Sequence, residues 1–336
     1  MRLLLSLDMK ILRSSYLKVR GFLIKGCIVV LNYNLCGVMI CLHRKGYMRL
    51  IVKTVTGLTK VRHRNEVGVT LASLSLSAKR VLFLALCQID TKEMLDDDIL
   101  EVDADFFSKA TSLDKYASYA ALKEGAKVLS STTLVLNRDD LKNLDELGIL
   151  SSKNKIPDRL DLNLTEFCAY YDHLATVRIK FTNTAKRYFS KLIGSENRYT
   201  TQVLKSVVLL NSVNSTNLYQ VIRKYYSQNS SKKSFDISVD DLKEEMGLYT
   251  IEEGEKKYKY PKYSFFVRDV INKSINEIIE KTEINQLSFS VVGKKGRMAH
   301  MLRFEFSINE KSSSFSEDDM AFLEEFDKVV PPKKNK

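Results

Sequence analysis

The chain has 336 residues, with 53 Lys and Arg against 41 Asp and Glu, a formal net charge of +12 and 44% apolar residues. This length suffices for two domains of ordinary size, and the apolar and charged fractions are those of a globular protein. They exclude wholesale disorder, collagen-like repeats and a polytopic membrane protein. The excess of positive charge favours a polyanionic partner.

The positive charge is unevenly distributed along the chain. Residues 1–64 hold 13 basic residues and 1 acidic residue, whereas residues 65–182, 183–306 and 307–336 have net charges of −5, +7 and −2. The whole formal excess therefore belongs to a basic and apolar N-terminal extension, residues 1–64. Of the remaining segments, only residues 183–306 are basic.

Residues 1–64 are hard to interpret as a domain. The apolar run 26–42 is shorter than the ~20 residues that a spanning helix needs, and Asn32 and Asn34 interrupt it. A secretory signal fits poorly, because charged residues precede the run and no small-residue cleavage site follows. Three interpretations stay open: translation from upstream of a true start at Met48, a poorly ordered basic arm, and a membrane-associated segment. N-terminal sequencing of the natural product decides between them.

Motifs for catalysis or metal binding are absent from the sequence. The five cysteines show no Cys-x-x-Cys pair and the four histidines are far apart, which is typical of a reduced cytosolic protein without a metal site. There is no Walker lysine motif, no nucleophile elbow and no His-Glu-x-x-His helix. The acidic residues 96–98 fit a solvated turn. We therefore expect no enzyme, no catalytic residue and no cofactor, and no membrane partner.

The first predicted elements follow in the order of a winged helix. Residues 76–86 predict a largely buried helix capped by Ser75 or Ser77, and residues 99–102 predict a short strand. A helix is expected from about Asp103 through Phe107, and a second one, capped by Asp114, over 115–129. Strands are expected over 132–137 and within 149–164. We take residues 65–182 as a first winged-helix domain.

The same order occurs again in residues 183–308. A capped helix over 215–226, a strand over 234–239 and a short helix ended by Gly247 lead into a charged loop over 249–260. A long helix is then predicted over 261–282, with Pro261 at its first position, followed by strands over 287–292 and 298–307. The fold class is therefore α+β, with two tandem winged-helix domains. A helix over 316–329 is plausible in the C-terminal tail, 309–336.

The long predicted helix has two contrasting sides. An apolar stripe recurs at three- and four-residue spacing, through Tyr263, Val267, Val270, Ile271, Ser274 and Ile278. A polar ridge recurs every fourth residue, through Ser264, Arg268, Asn272 and Asn276. Such side chains suit the reading of base edges, although an ordinary solvated face has the same pattern. Lysines before the helix (256, 257, 259 and 262) and the basic hairpin tip 293–297 after it favour a nucleic-acid interface.

With these segments in order, the chain resembles the iteron-binding plasmid replication initiators of the Rep_3 superfamily, over roughly residues 69–308. Residues 75–89 are similar to the family's opening helix, and residues 199–204 with 218–226 to its interdomain segment and the first helix of its second domain. Residues 263–282 match the recognition helix and residues 293–297 match the wing. The pattern departs at Val267-Arg268-Asp269, where the family usually has two or three consecutive basic residues. Asp269 would repel a phosphate, although a carboxylate can accept from cytosine N4.

The resemblance implies binding of repeated origin sites (iterons) in double-stranded DNA. It further implies opening of the adjacent duplex, recruitment of a host initiator ATPase and replicative helicase, and repression of the initiator's own gene by a homodimer in equilibrium with the monomer. Base contacts are expected from the second domain, through Lys259, Lys262, Ser264, Arg268, Asn272 and Lys273. Phosphate contacts are expected from the wing residues Lys294, Lys295 and Arg297. The first domain, expected to dimerise, offers auxiliary DNA contacts through Lys115, Tyr116, Ser118, Tyr119, Lys123 and Lys127.

Two rival functions share parts of this pattern. A winged-helix transcription regulator outside replication would usually carry an additional effector or dimerisation domain, for which no segment remains. A replication relaxase would need a His-rich metal pair, which is missing. Tandem direct repeats of about two helical turns in the DNA upstream of the gene would support an iteron initiator.

Overall fold

A computed structural model describes residues 59–89, 91, 94, 95, 99–137, 157–192, 199–231, 233–253 and 255–309 of the chain. It also describes the strand backbone of residues 19–24, 27–32, 38–42 and 48–52. The acidic residues 96–98 and the expected tail helix over 316–329 lie outside these residues. In the described part, no helix combines the length and the apolar character needed to cross a membrane.

The chain divides into two compact units, Met1–Thr54 with Glu317–Lys336, and Val55–Ser316. In the first unit, four antiparallel strands pair in sequence order: β1 (Val19–Ile24), β2 (Cys27–Asn32), β3 (Val38–Leu42) and β4 (Met48–Val52). The apolar run of residues 26–42 is thus divided between two strands. Residues 60–64, which we assigned to the extension, instead form β5 (Lys60–Arg64), which pairs with a strand of the second unit.

The second unit begins with a winged-helix domain. After a 3₁₀ turn (Asn65–Val67), its elements are α1 (Gly68–Ser73), α2 (Leu76–Leu86), β6 (Leu100–Asp103), α3 (Ala104–Thr111), α4 (Lys115–Ser130), β7 (Thr133–Asn137), β8 (Arg159–Asn163), β9 (Thr165–Tyr171) and β10 (Thr176–Phe181). Further 3₁₀ turns cover Asp172–Leu174 and Ala185–Tyr188. Strands β7 and β8 pair with each other, and a three-stranded sheet has the order β6-β10-β9.

Side-chain caps fix the helix starts in this domain. Ser75 Oγ accepts from Ala78 N at 3.3 Å, and Asp103 Oδ1 accepts from Phe106 N at 2.7 Å. Asp114 Oδ1 accepts from Tyr116 N and Ala117 N. Each cap satisfies backbone donors that have no partner inside the helix. The predicted starts of α2, α3 and α4 are therefore confirmed.

The second winged-helix domain follows through β11 (Tyr199–Val203), the partner of β5. Its helices are α5 (Leu204–Leu209), α6 (Val213–Gln228), α7 (Val239–Glu245), α8 (Tyr263–Phe266) and α9 (Asn272–Lys281), with a π-helical turn (Val267–Ile271) between the last two. We call the continuous helix of residues 263–281 the long helix. Its strands are β12 (Ser234–Ser238), β13 (Tyr249–Glu252), β14 (Glu255–Tyr258), β15 (Ile284–Lys295) and β16 (Met298–Ile308).

The three-stranded sheet of this domain, in the order β12-β16-β15, packs on an aromatic core. Phe235 of β12 stacks on Tyr225 of α6 with ring centroids 4.1 Å apart and on Phe304 of β16 at 5.3 Å. Phe304 is fully buried. This core anchors the hairpin β15–β16, whose outer half extends as the wing.

Two local predictions for the second domain are wrong. Residues 249–260 contain the hairpin β13–β14 instead of a loop, with Tyr249 opposite Tyr258. The long helix begins at Tyr263, not at Pro261, because Lys262 still has extended backbone and its carbonyl accepts from Phe265 N and Phe266 N. Pro261 therefore lies in the irregular segment before the helix.

Buried polar contacts join the two domains within this unit. Asn217 of α6 donates through Nδ2 to the carbonyls of Ala72 and Met246, at 2.9 and 2.7 Å, and its Oδ1 accepts from Lys79 Nζ of α2. Arg80 of α2 donates to the carbonyls of Val208 and Leu210. These contacts satisfy buried donors from one domain with acceptors from the other, and so fix where the second domain sits.

Candidate nucleic-acid interface

The long helix buries one side and exposes the other. Its buried residues are Phe266, Val270, Ile271, Ser274, Ile275 and Ile278, with Tyr263 and Val267 half-buried. The predicted apolar stripe is confirmed, with the addition of Phe266 and Ile275. Because this stripe packs on the domain core, the opposite side of the helix must face solvent.

The polar ridge lies on the exposed side. Ser264, Arg268 and Asn272 are exposed at successive turns, and so are Lys259, Lys262 and Lys273. The π-helical turn, Val267–Ile271, carries Arg268. Short π-helical turns inside α-helices are frequent at functional sites. The structure thus places all six residues that we expected to touch bases on accessible surface at or next to one helix.

Arg268 is held by its neighbour Asp269. The guanidinium donates from Nε to Asp269 Oδ1 at 3.0 Å and from Nη2 to Oδ2 at 2.7 Å. The bond to Arg268 lowers the pKa of Asp269 and raises that of Arg268, so both stay charged. This pair occupies two of the five guanidinium N–H groups. The edge formed by Nη1 and the second Nη2 hydrogen has the geometry to donate to guanine O6 and N7.

An aromatic residue that the sequence reasoning missed lies beside this pair. Phe265 is 42% exposed on the first turn of the long helix. The Arg268 guanidinium carbon is 4.9 Å from its ring centroid, and Lys262 Nζ is 5.5 Å from it. The only sequence signal is the three-residue spacing of Lys262, Phe265 and Arg268, which is hidden by the adjacent core residue Phe266.

The wing presents a basic tip. In the hairpin β15–β16, Lys295 pairs with Met298, and Gly296 turns the chain with φ of 61°. Only a residue without a side-chain carbon adopts this φ freely. Lys294, Lys295 and Arg297 are exposed, as expected, and Met298 beside them is 71% exposed. The tip can therefore bring three cations to a phosphate backbone.

The lysines of the hairpin β13–β14 have carboxylate partners. Lys256 Nζ lies 2.6 Å from Glu244, and Lys257 Nζ lies 2.5 Å from Glu252. Their positive charge is locally balanced, whereas Lys259 and Lys262 lie nearer the long helix in sequence. Of the four lysines before this helix, we therefore keep the latter two as candidate DNA contacts.

In the first domain, the candidate residues of α4 have different environments. Tyr116 is 85% exposed, and Lys115, Lys123 and Lys127 are exposed. Lys123 Nζ is 3.2 Å from Asp172. Tyr119 is half-buried under Lys115, with the ammonium 5.6 Å from its ring centroid. These five residues stay candidates for auxiliary DNA contacts.

Ser118 is a correction to this set. Its side chain is completely buried and its Oγ points to the Leu113 carbonyl at 3.5 Å. A buried hydroxyl has no access to DNA in this fold. The helical spacing that placed Ser118 on α4 could not distinguish the core side from the exposed side, because serine occurs on both.

No metal centre is present in the part of the chain that the structure describes. There, no group of three or more His, Cys, Asp or Glu side chains is close enough to hold an ion. The buried His63 donates or accepts only within the protein, through Arg64 O at 2.9 Å and Gln202 Nε2 at 3.0 Å.

Two protein-family models match the chain. The model described as "Initiator Replication protein, WH1" matches residues 60–223, and the model described as "Initiator Rep protein, WH2" matches residues 238–306. WH denotes a winged helix, so the two matches correspond to two tandem winged-helix domains. The long helix and the wing lie in the second match.

Relatives in sequence and structure agree with these models. The PI protein of Escherichia coli is 42% identical over 304 residues, which is 86% of this chain and all of that protein. A solved structure described as the Pi initiator protein in complex with iteron DNA matches with a TM-score of 0.70 and 42% identity. That match covers 76% of this chain and 100% of the solved chain.

Proposed function

The chain belongs to the family of plasmid replication initiators with two winged-helix modules, and we propose that it binds iteron repeats at its plasmid's origin. An initiator of this family is not an enzyme, as the sequence predicted. The observation that carries the proposal is the exposed side of the long helix. There Ser264, Arg268 and Asn272 face solvent, with Lys262 before them and the basic wing tip after them in the sequence.

The chemistry of this surface supports two kinds of DNA contact. Arg268 and Asn272 have the donor and acceptor groups that recognise guanine and adenine in the major groove. Lys294, Lys295 and Arg297 have the charge to contact phosphates, which adds affinity without sequence information. The relative solved with iteron DNA supports the same use of the fold.

The first domain is proposed to contribute auxiliary DNA contacts and the dimer interface. Lys115, Tyr116 and Lys127 of α4 are exposed, which supports the DNA contacts. Strand β9 has one described neighbour, β10, and Phe167 on β9 is 38% exposed. A strand with an open edge can pair with a second copy, which supports dimerisation.

The remaining steps of initiation rest on the family resemblance. We propose that the bound monomer helps to open the adjacent duplex and recruits the host initiator ATPase and the replicative helicase in the bacterial cytoplasm. Dimers are proposed to repress the initiator's own gene and so to limit plasmid copy number. The domain limits 65–182 and 183–308 are part of the same proposal, with β5 (Lys60–Arg64) counted with the winged-helix unit in which it pairs. Only the residues before β5 are still proposed as an extension.

Fluorescence anisotropy with the full chain tests the binding step. Direct repeats found upstream of the gene are compared with a shuffled duplex of equal length at physiological salt. The expected result is tighter binding to the repeats by at least about 10³-fold, the lower end for specific DNA binders. Equal binding to both duplexes contradicts the proposal.

A replication assay separates the initiator from the alternative, a transcription regulator. The gene is supplied in trans to a plasmid that carries the repeats and the origin but lacks the gene. An initiator maintains that plasmid, whereas a regulator binds the repeats without maintaining it.

A further inference from the structure

We propose that Phe265 reads the 5-methyl group of one thymine in each DNA repeat, next to the base pair contacted by Arg268. This inference rests on the proposed function, because it concerns the same DNA surface. Phe265 has no hydrogen-bonding group in its side chain, so a search for hydrogen-bonding residues does not find it.

Phe265 combines an exposed ring with two cations placed over it. It is 42% exposed, whereas the adjacent Phe266 is fully buried in the core. The Arg268 guanidinium carbon lies over its ring, 4.9 Å from the centroid, and the Lys262 ammonium lies 5.5 Å from the same centroid. Both cations interact with the ring's electron-rich face, which restrains it on the surface.

The two cations limit what can cover the ring. A partner that docks here must accept hydrogen bonds or carry negative charge next to Lys262 and Arg268, and must also offer an apolar group to the ring. The major groove of DNA supplies both, because phosphates and guanine acceptors lie close to thymine methyl groups. An apolar protein surface would leave the two cations desolvated and without acceptors.

Among the four bases, only thymine presents a methyl group in the major groove. Phenylalanine contacts with this methyl are a known form of direct readout. Arg268, held by Asp269, can donate to a guanine from the edge that Asp269 leaves open. Because the Arg268 guanidinium carbon lies only 4.9 Å from the Phe265 ring centroid, the thymine and the guanine are expected at the same or neighbouring base pairs.

Deoxyuridine scanning tests the inference with the full chain. Each thymine of one repeat is replaced in turn by deoxyuridine, which pairs with adenine and lacks only the methyl group. The wild-type chain is expected to bind about fourfold more weakly at one position. Burial of one methyl group contributes ~0.8 kcal/mol to binding, and each ~1.4 kcal/mol changes the affinity tenfold, which gives this factor.

The variant Phe265→Ala completes a double-mutant cycle. It is expected to lose affinity for the all-thymine repeat and to be insensitive to deoxyuridine at the position that affects the wild type. The control Ile279→Ala removes another exposed apolar side chain of the long helix, 38% exposed, and should keep the sensitivity. Circular dichroism confirms that each variant is folded.

Three outcomes overturn the inference. If the wild-type chain binds the repeat but no deoxyuridine weakens binding, Phe265 does not read a methyl group, and the proposed function still stands. If Phe265→Ala keeps the same sensitivity, the ring only positions Arg268. If the wild-type chain does not distinguish the repeat from shuffled DNA, the proposed function fails first and this inference falls with it.

Discussion

At the scale of single residues, the pair Arg268–Asp269 is central to the DNA contact that we propose for the long helix. An unpaired carboxylate on this surface would repel phosphates, yet the structure places it against a guanidinium and 3.7 Å from Lys273 Nζ. Pairing with these cations offsets the repulsion between Asp269 and phosphates, and the main effect of Asp269 is to orient the Arg268 guanidinium. The sequence alone placed Arg268 on the exposed side but could not show this pairing, since neighbouring helical residues usually diverge.

Replacing Arg268 with Ala tests its role as a base reader. Loss of a guanidinium that contacts guanine should cost about 1–3 kcal/mol on the cognate repeat and relax specificity at one base pair. Binding to repeats with each base pair substituted in turn measures both effects. Arg303→Ala is a matched control, because Arg303 forms the same bidentate pair with Asp236 on the sheet. Equal losses on cognate and random DNA for Arg268→Ala would count against base readout.

His63 predicts how stability depends on pH. Burial is the main cause that lowers the pKa of His63 to about 4, and the charges of Lys224 and Lys79 act in the same direction. The pKa of His63 is lower in the folded than in the unfolded chain, so the unfolded chain takes up a proton first as pH falls. The free energy of unfolding therefore decreases as pH falls from about 6.5 to about 4. Between pH 7 and 5 this loss is about 2 kcal/mol, from ~1.4 kcal/mol per pH unit.

Denaturant titrations at pH 7 and pH 5 measure this effect. The variant His63→Gln removes the titrating group, and its stability should fall less between the two pH values than that of the wild type. The same fall in both proteins would show that other groups cause the acid sensitivity.

At the scale of elements, the helices and strands whose ends are marked by nearby residues could be predicted from the sequence. Capping residues predicted α2, α3 and α4, because caps depend on neighbouring residues only. Strands β9 and β10 were missed, although β10 alternates apolar and polar residues. The hairpin β13–β14 was taken for a loop because it is exposed on both faces, so its sequence lacks the apolar alternation of a half-buried strand.

The wing is the element that should set the dependence of binding on salt. Lys294→Ala removes one exposed cation from its tip and should weaken binding to all sequences alike, reducing the slope of log K against log salt by about 1. Anisotropy titrations at several salt concentrations give the slope. Lys257→Ala is the matched control, because Lys257 is already paired with Glu252 at 2.5 Å and should change the slope less. Unequal losses on cognate and shuffled DNA for Lys294→Ala would contradict phosphate contact.

At the scale of the whole molecule, buried polar contacts set the geometry in which the two domains could meet DNA together. Lys79 is almost completely buried, and desolvation lowers its pKa to about 7. Its partner Asn217 connects Ala72 with Met246 by donating to both carbonyls. No pattern in the sequence predicts such a long-range contact, because Lys79 and Asn217 are brought together only by the tertiary fold.

Removing Asn217 should destabilise the folded chain. Asn217→Ala removes the side-chain donor to the buried Met246 carbonyl and leaves Ala72 O and Lys79 Nζ only their mutual contact at 3.4 Å, which should cost about 3 kcal/mol. Chemical denaturation monitored by circular dichroism measures the loss. Asn276→Ala, at an exposed position of the long helix, should change stability by less than about 0.5 kcal/mol. Equal effects of the two substitutions would contradict the role given to the junction.

The net charge is also a property of the whole molecule, and its distribution over the segments is more informative than its total. The formal charge of +12 comes from residues 1–64, whereas the proposed DNA surface lies in a segment of +7. What distinguishes this segment is the placement of its cations around the long helix and the wing. The charge total by itself did not locate the interface.

Footprinting of the full chain on the DNA upstream of its gene tests the central claim most directly. At about 0.15 M salt, the account predicts protection that recurs with each direct repeat, at intervals of about two helical turns. The same protection should require higher concentrations of Arg268→Ala and should be unchanged for Arg303→Ala. Absence of protection over the repeats, or a footprint that Arg268→Ala leaves unchanged, would contradict it.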